Sequence, residues 1–203
     1  MMFNRVVTEL KEHTPFTIFG AATGIVLMFI VVLAGFSPEV SETIFFTLHP
    51  AHVVLSAFAT TAMFRKYSPA RLGTALLVGY FGAVGIATLS DTILPYLGGS
   101  LLGIDIEMEI PVISEWWLIN PAALLGIAIG YFWPHTRLPH AGHVLLSTWA
   151  SLFYFTAFGI ADWIPLLPVI FVFLFLAVWL PCCVSDIIFP LVFVPDKLPR
   201  QRA

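Results

Sequence analysis

Six apolar stretches alternate with short polar breaks, at about residues 16–36, 38–64, 72–97, 117–133, 139–159 and 164–194. Most reach or approach the ~20 residues that a helix needs to cross a hydrocarbon core of ~30 Å. They lack the strict alternation over ~10 residues that marks a barrel strand. The pattern predicts six helices. Ser37-Pro38 and Ser68-Pro69 each have the form of an N-cap followed by a first-turn proline, which predicts starts for helices two and three. Residues 1–15 are polar and hold Arg5, Glu9, Lys11 and Glu12. This is not the basic start and short apolar core of a signal peptide, so the first helix is expected to stay in the mature chain.

Composition settles what solvent surrounds these helices. Of 203 residues, 59% are apolar and 10% charged, against about 45–50% and about 25% in soluble domains. So few charges cannot clothe a soluble surface while 19 Phe and 6 Trp are hidden. The expected fold class is all-α: a polytopic membrane protein with six transmembrane helices, forming a single membrane domain over residues 1–203 with the lipid bilayer as its main partner. A net charge of −3 gives nucleic acid no electrostatic footing.

All nine basic residues fall on one side of this six-helix arrangement. Arg5 and Lys11 precede helix one, Arg65, Lys66 and Arg71 join helices two and three, Arg137 joins four and five, and Lys197, Arg200 and Arg202 follow helix six. The opposite loops hold Glu39, Glu42, Asp105, Glu107, Glu109, Glu115 and Asp162 without a Lys or Arg. Basic residues mark the cytoplasmic face, so both termini are expected in the cytoplasm. Trp116, Trp117, Trp133 and Trp163 fall at the expected interfaces, while Trp149 and Trp179 lie deeper, as packing residues do.

The chain also repeats itself. Residues 49–59 (HPAHVVLSAFA) match residues 140–150 (HAGHVLLSTWA) at six of eleven positions, both His of each pair included. Residues 90–95 (SDTILP) match 185–190 (SDIIFP). The separations, 91 and 95 residues, keep order and spacing. A weaker echo links residues 21–25 with 122–127. Matches of Leu and Val between apolar helices mean little; matches of His and Asp, both scarce here, mean much. Each half then holds three helices, repeat one over about 16–99 and repeat two over about 116–195. Three is odd, so the halves are expected to enter the membrane with opposite polarity. Inverted repeats of this kind are common in secondary transporters.

The repeated residues carry the candidate chemistry. His49 and His52 are three apart, on one helical stripe that Ser56 extends; His140, His143 and Ser147 repeat it. Asp91 and Asp186 are placed to meet their own pair, the first trio toward the outer half of the membrane and the second toward the inner half. Two imidazoles and a carboxylate suit a divalent transition metal, Zn, Fe, Mn, Co or Ni. Cys182, one turn before Asp186, is a further ligand for the inner trio; its adjacent partner Cys183 makes no disulfide framework. Pro95 and Pro190, four after each Asp, remove a helical hydrogen bond and free a carbonyl.

Simpler roles compete. An imidazole near a helix start also serves as an interfacial hydrogen-bonder, and a helical Asp is sometimes satisfied by a neighbouring Ser or His. An Asp at a membrane helix centre nonetheless costs about 2.5–3.5 kcal/mol, and such groups mark function by default. The leading expectation is membrane transport of a divalent transition-metal cation through paired His/His/Asp sites. The alternatives are an intramembrane metalloenzyme or haem/redox protein using the same His and Asp, and a structural membrane subunit held together by them. Bis-His haem on His52 and His143 ranks behind metal because their expected depths differ. There is no Gly-x-Ser-x-Gly elbow and no phosphate-binding Gly-x-x-x-x-Gly-Lys, so energy input would come from an ion gradient or a partner. No catalytic residue is assigned; a metal ion or small substrate is the expected ligand, and a homo-oligomer is compatible with the chain. The acidic run 105–109 could concentrate cations, though an ordinary solvated loop explains it better.

Overall fold

The computed structural model describes residues 2–68, 72–135, 137–160 and 163–194. They are almost entirely helical. The helices are α1 (Met2–Leu33), α2 (Pro38–Tyr67), α3 (Leu72–Thr88), α4 (Leu94–Leu101), α5 (Pro111–Ser114), α6 (Trp116–Phe132), α7 (Arg137–Phe158), α8 (Trp163–Cys183) and α9 (Phe189–Val192). Two residues on each side, β1 (Asp105–Ile106) and β2 (Gly159–Ile160), form an antiparallel ribbon with Asp105 opposite Ile160.

Among the described residues, three helical stretches are long and apolar enough to cross a membrane: Pro38–Tyr67, Leu72–Leu101 and Pro165–Val192, each with an 18-residue window of mean hydropathy 1.3, 1.8 and 2.6 respectively. The least apolar of them, α2, is also the most deeply buried. Its mid-helix polar side chains, His49, His52, Ser56, Thr60 and Thr61, are buried against protein, as membrane helices require of ionisable groups, while the exposed charged side chains Glu39, Glu42 and Lys66 lie near its ends. Outward faces are apolar instead: Phe19 and Phe29 on α1, Leu77 and Phe81 on α3, and Val169, Val172 and Leu176 on α8 are all exposed. An apolar surface of that extent suits lipid and not water.

Packing interleaves the two ends of the chain. Helix α2 packs against α7, α6 and α3, whereas α1 leaves its sequence neighbour and packs against α7 and α8. Small residues allow the close approaches. A methyl group added at Gly126 or Gly130 of α6 would meet the backbone carbonyls of Val54 and Phe58 on α2. Gly20 on α1 is similarly close to Thr148 on α7. At one end, Phe45, Tyr154 and Phe158 stack edge to face or tilted at 4.9–5.6 Å. Tyr154 Oη accepts the Glu109 N–H and donates to the Glu107 carbonyl, both at 2.9 Å. The 105–109 run is thereby tied down on both sides and is not a free loop.

Helices occupy all six predicted stretches, with three differences in detail. Helix α1 starts at Met2 and continues through Pro15, so the polar N-terminal segment is helical. Ser37 occupies the N-cap position of α2 with extended backbone and Pro38 follows at the first position, though the Ser37 side chain makes no capping hydrogen bond, and Ser68 ends α2 by donating its N–H to the Phe64 carbonyl. Residues 69–71, where the predicted start of helix three falls, lie outside the described residues. The third difference concerns the Ser-Asp elements. Leu89–Ile93 and Val184–Ile188 are each a turn of π-helix, closed by N–H donation from Leu94 to the Leu89 carbonyl and from Phe189 to the Val184 carbonyl. Pro95 and Pro190 follow in the first turn of α4 and α9. A proline cannot donate to the carbonyl four residues back, which for these two is the carbonyl of Asp91 and of Asp186. The wider turn accommodates that lost bond without ending the helix.

Candidate metal centre

Both π-turns bring their acidic residue to the seam between α2 and α7. Local π-turns in α-helices are concentrated at functional sites. Asp91 is fully buried, as are His49, His52, Ser90 and Ser147 around it. His49 Nδ1 lies 2.9 Å and His52 Nδ1 2.6 Å from the same oxygen, Asp91 Oδ2. The other oxygen, Oδ1, accepts from Ser90 Oγ at 2.8 Å and from Ser147 Oγ at 2.6 Å. An ionised carboxylate only accepts, so both imidazoles present Nδ1–H to it, and in the neutral form of either ring Nε2 is the nitrogen with the lone pair. His49 stacks on Phe45, ring centroids 5.4 Å apart, and its Nε2 is buried with no hydrogen-bond partner among the described residues.

The second acidic residue sits in a related setting. His143 Nδ1 lies 3.0 Å from Asp186 Oδ2, both fully buried. Thr60 Oγ1 donates to Asp186 Oδ1 at 3.1 Å. Contacts cross between the two ends of the chain in matching positions. Ser147 Oγ reaches Ser90 Oγ at 3.2 Å, and Ser56 Oγ lies 3.4 Å from Ser185 Oγ. Ser151 Oγ donates to the Ser90 carbonyl at 3.0 Å, while Thr60 Oγ1 lies 3.3 Å from Ser185 Oγ. The 91-residue offset that relates the His motifs also relates Ser56 to Ser147 and Thr60 to Ser151.

Of the residues singled out from sequence, His49, His52 and Asp91 come together, and so do His143 and Asp186. The side chain of His140 lies outside the described residues. The expected separation of an outer and an inner cluster does not appear. The rings of His52 and His143 stack with centroids 5.7 Å apart and planes within 13°, so the two residues share one level. Helix α2 is 30 residues long, or about 45 Å at 1.5 Å per residue. That length carries His52 well into the helix and away from its first residue, Pro38. Cys182 lies with His52 and His143: the ligand atoms of the three are within 4.8 Å of one another, as are those of His49, His52 and Asp91. His52 therefore belongs to both groups. These buried His, Asp and Cys side chains could hold a metal ion. Thr60 and Ser151 are parts of the network that sequence reasoning missed; the 91-residue offset was the signal that pointed to them.

Comparison with protein-family models, with curated proteins and with solved structures returned no match.

Proposed function

We propose that this chain is a multi-pass membrane transporter for a divalent transition-metal cation, built from two inverted three-helix repeats with both termini in the cytoplasm. The observation that carries the reading is the single buried seam in which three imidazoles, two carboxylates and a thiol converge. All nine basic residues lie outside the apolar stretches. Two carboxylates buried among apolar helices need positive charge close by; imidazolium or a bound cation can supply it. The inverted arrangement has the support of the matching π-turns and of hydroxyls that reach from each half to the acidic element of the other. In an inverted-repeat transporter, rocking one half against the other alternates access to a site at their junction.

The face-to-face stacking of His52 and His143 favours metal over haem. Bis-His ligation requires the rings to point at one iron from opposite sides of a macrocycle, and stacked rings with centroids 5.7 Å apart leave no slot for it between them.

Flux measurements in proteoliposomes test the proposal. Wild-type vesicles should move Zn(II) or Co(II) down an imposed gradient, and His52→Ala and His143→Ala should each stop flux while the protein stays folded. In an enzyme, one half alone would be essential for turnover. If wild-type vesicles move no metal in either direction, the transporter reading falls and the metalloenzyme reading takes its place.

A further inference from the structure

Two overlapping donor sets share His52: His49–His52–Asp91 and His52–His143–Cys182. They are not equivalent as metal sites. Asp91 already accepts from four donors, two imidazole Nδ1–H groups and two hydroxyls. Four acceptances fill the lone-pair sites of a carboxylate, so coordination through Asp91 would break buried hydrogen bonds to both sides. A carboxylate on Nδ1 of a metal-binding His is instead the usual outer support; it sets the tautomer and aims Nε2 at the ion. His52 has that support from Asp91, whereas His143 Nδ1 has Asp186 Oδ2 within ion-pair distance, 3.0 Å, but outside hydrogen-bond geometry. The third donor beside these two rings is Cys182, buried at the end of α8 one turn before Asp186.

We infer that His52, His143 and Cys182 form one metal site of two imidazole nitrogens and one thiolate sulfur at the junction of the two halves, with Asp91 and Asp186 as the carboxylates that orient its imidazoles. This rests on the metal-transport reading and names its substrate class: a cation that takes both sulfur and imidazole, such as Zn(II) or Co(II), in preference to Mn(II), Mg(II) or Ca(II). Zn–S and Zn–N bonds of about 2.3 and 2.0–2.1 Å set tetrahedral donors about 3.5 Å apart, so donors at most 4.8 Å apart close on an ion with shifts of about an ångström. Three protein donors leave a fourth position for water or for an arriving ligand. His49, whose buried Nε2 faces no protein partner among the described residues, shares Asp91 with His52 and stands as the next donor along the seam. One site that draws a ligand from α2 of the first half and two from α7 and α8 of the second differs in kind from two independent sites. An ion held there would be released when the halves move apart.

Cobalt substitution tests this on the full-length protein in detergent. Co(II) bound by a thiolate gives a sulfur-to-cobalt charge-transfer band in the near ultraviolet in addition to its visible d–d bands. Wild-type protein should show both, and Cys182→Ser, a near-isosteric change, should lose the charge-transfer band. Cys183→Ser should keep it. His52→Ala and His143→Ala should each weaken Co(II) binding by more than about 100-fold, beyond the ~10–100-fold that loss of an outer carboxylate causes. Visible d–d bands without a charge-transfer band in the wild type would overturn the mixed imidazole–thiolate site and leave the metal reading with a His/Asp ligand set. Loss of the band in Cys183→Ser but not in Cys182→Ser would overturn it as well. If neither Co(II) nor Zn(II) binds the wild type, the metal reading itself fails.

Discussion

His52 Nδ1 lies 2.6 Å from Asp91 Oδ2, and the two residues come from α2 and from a π-turn 39 positions later in the chain. A hydrogen bond to an ionised carboxylate is charge-assisted, about twice the strength of a neutral one. It fixes the tautomer of His52, because the carboxylate accepts at Nδ1 and leaves Nε2 to coordinate. The same carboxylate holds His49 and two serine hydroxyls, one of them from α7. Asp91 is thus where three helical segments are joined.

Asp91→Asn keeps the size of the side chain and removes its charge. The amide can no longer accept from two imidazoles, two serines and nothing else, since its NH2 group must donate. The expected result is a loss of about 10–100-fold in Zn(II) affinity, the usual effect of losing a carboxylate behind a metal-bound His, with helical content unchanged. Chelator competition and circular dichroism on one preparation check both halves of the statement. Unchanged affinity would show that Asp91 does not orient a metal ligand.

The polarity pattern and the duplicated His and Asp made much of this arrangement legible. Apolar runs located every long helix, and the rarity of His and Asp made their repetition meaningful. Depth was not legible, because it depends on how far α2 extends beyond its His motif and on how α2 crosses α7. That is why His52 and His143 share one level and not two. The π-turns at Leu89–Ile93 and Val184–Ile188 escaped a pattern argument built on a period of 3.6. Pro95 and Pro190 signalled a lost hydrogen bond, but proline alone does not distinguish a bent helix from a widened one. Gly126 and Gly130 had the small-xxx-small spacing of a close helix contact in plain view; which helix they meet, α2, is a property of the tertiary fold alone.

That contact makes a prediction of opposite sign at two glycines. Gly126 faces the Val54 carbonyl and Ala57 on α2, whereas nothing lies within 4 Å of a methyl group built on Gly85. Gly126→Ala should destabilise the protein by about 1–3 kcal/mol, as overpacking does. Gly85→Ala should be neutral or stabilise by up to about 1 kcal/mol, because alanine is the better helix former. Unfolding in a detergent series measures both. Equal effects would mean that α6 does not approach α2 this closely.

Tyr154 offers a separate handle on the acidic segment. Its hydroxyl accepts from Glu109 N–H and donates to the Glu107 carbonyl, and Phe removes both bonds while preserving the ring against Phe45 and Phe158. Glu107 is exposed and Glu109 half-buried, so water can replace the lost partners. The cost should stay near 1 kcal/mol, the net worth of an ordinary hydrogen bond. Amide exchange should quicken at residues 105–110 and stay unchanged in α2. Exchange that quickens throughout would show that the hydroxyl supports the core and not this segment alone.

The last prediction concerns sidedness. The nine-to-zero division of basic residues predicts that the Arg65–Arg71 connection faces the cytoplasm and the acidic Asp105–Glu115 segment the opposite side. Single cysteines placed at Lys66 and at Glu107, in a background with Cys182 and Cys183 changed to Ser, provide two exposed reporters, since both native positions are exposed. A membrane-impermeant thiol reagent applied to intact cells should label position 107 and not position 66, and after lysis it should label both. Among the described residues between the two positions, α3, the π-turn and α4 make one continuous helical run from Leu72 to Leu101, long and apolar enough to cross once. A single crossing requires opposite labelling. Labelling of both positions from the same side would remove that crossing, and with it the odd number of helices per half from which the inverted relation of the two repeats follows.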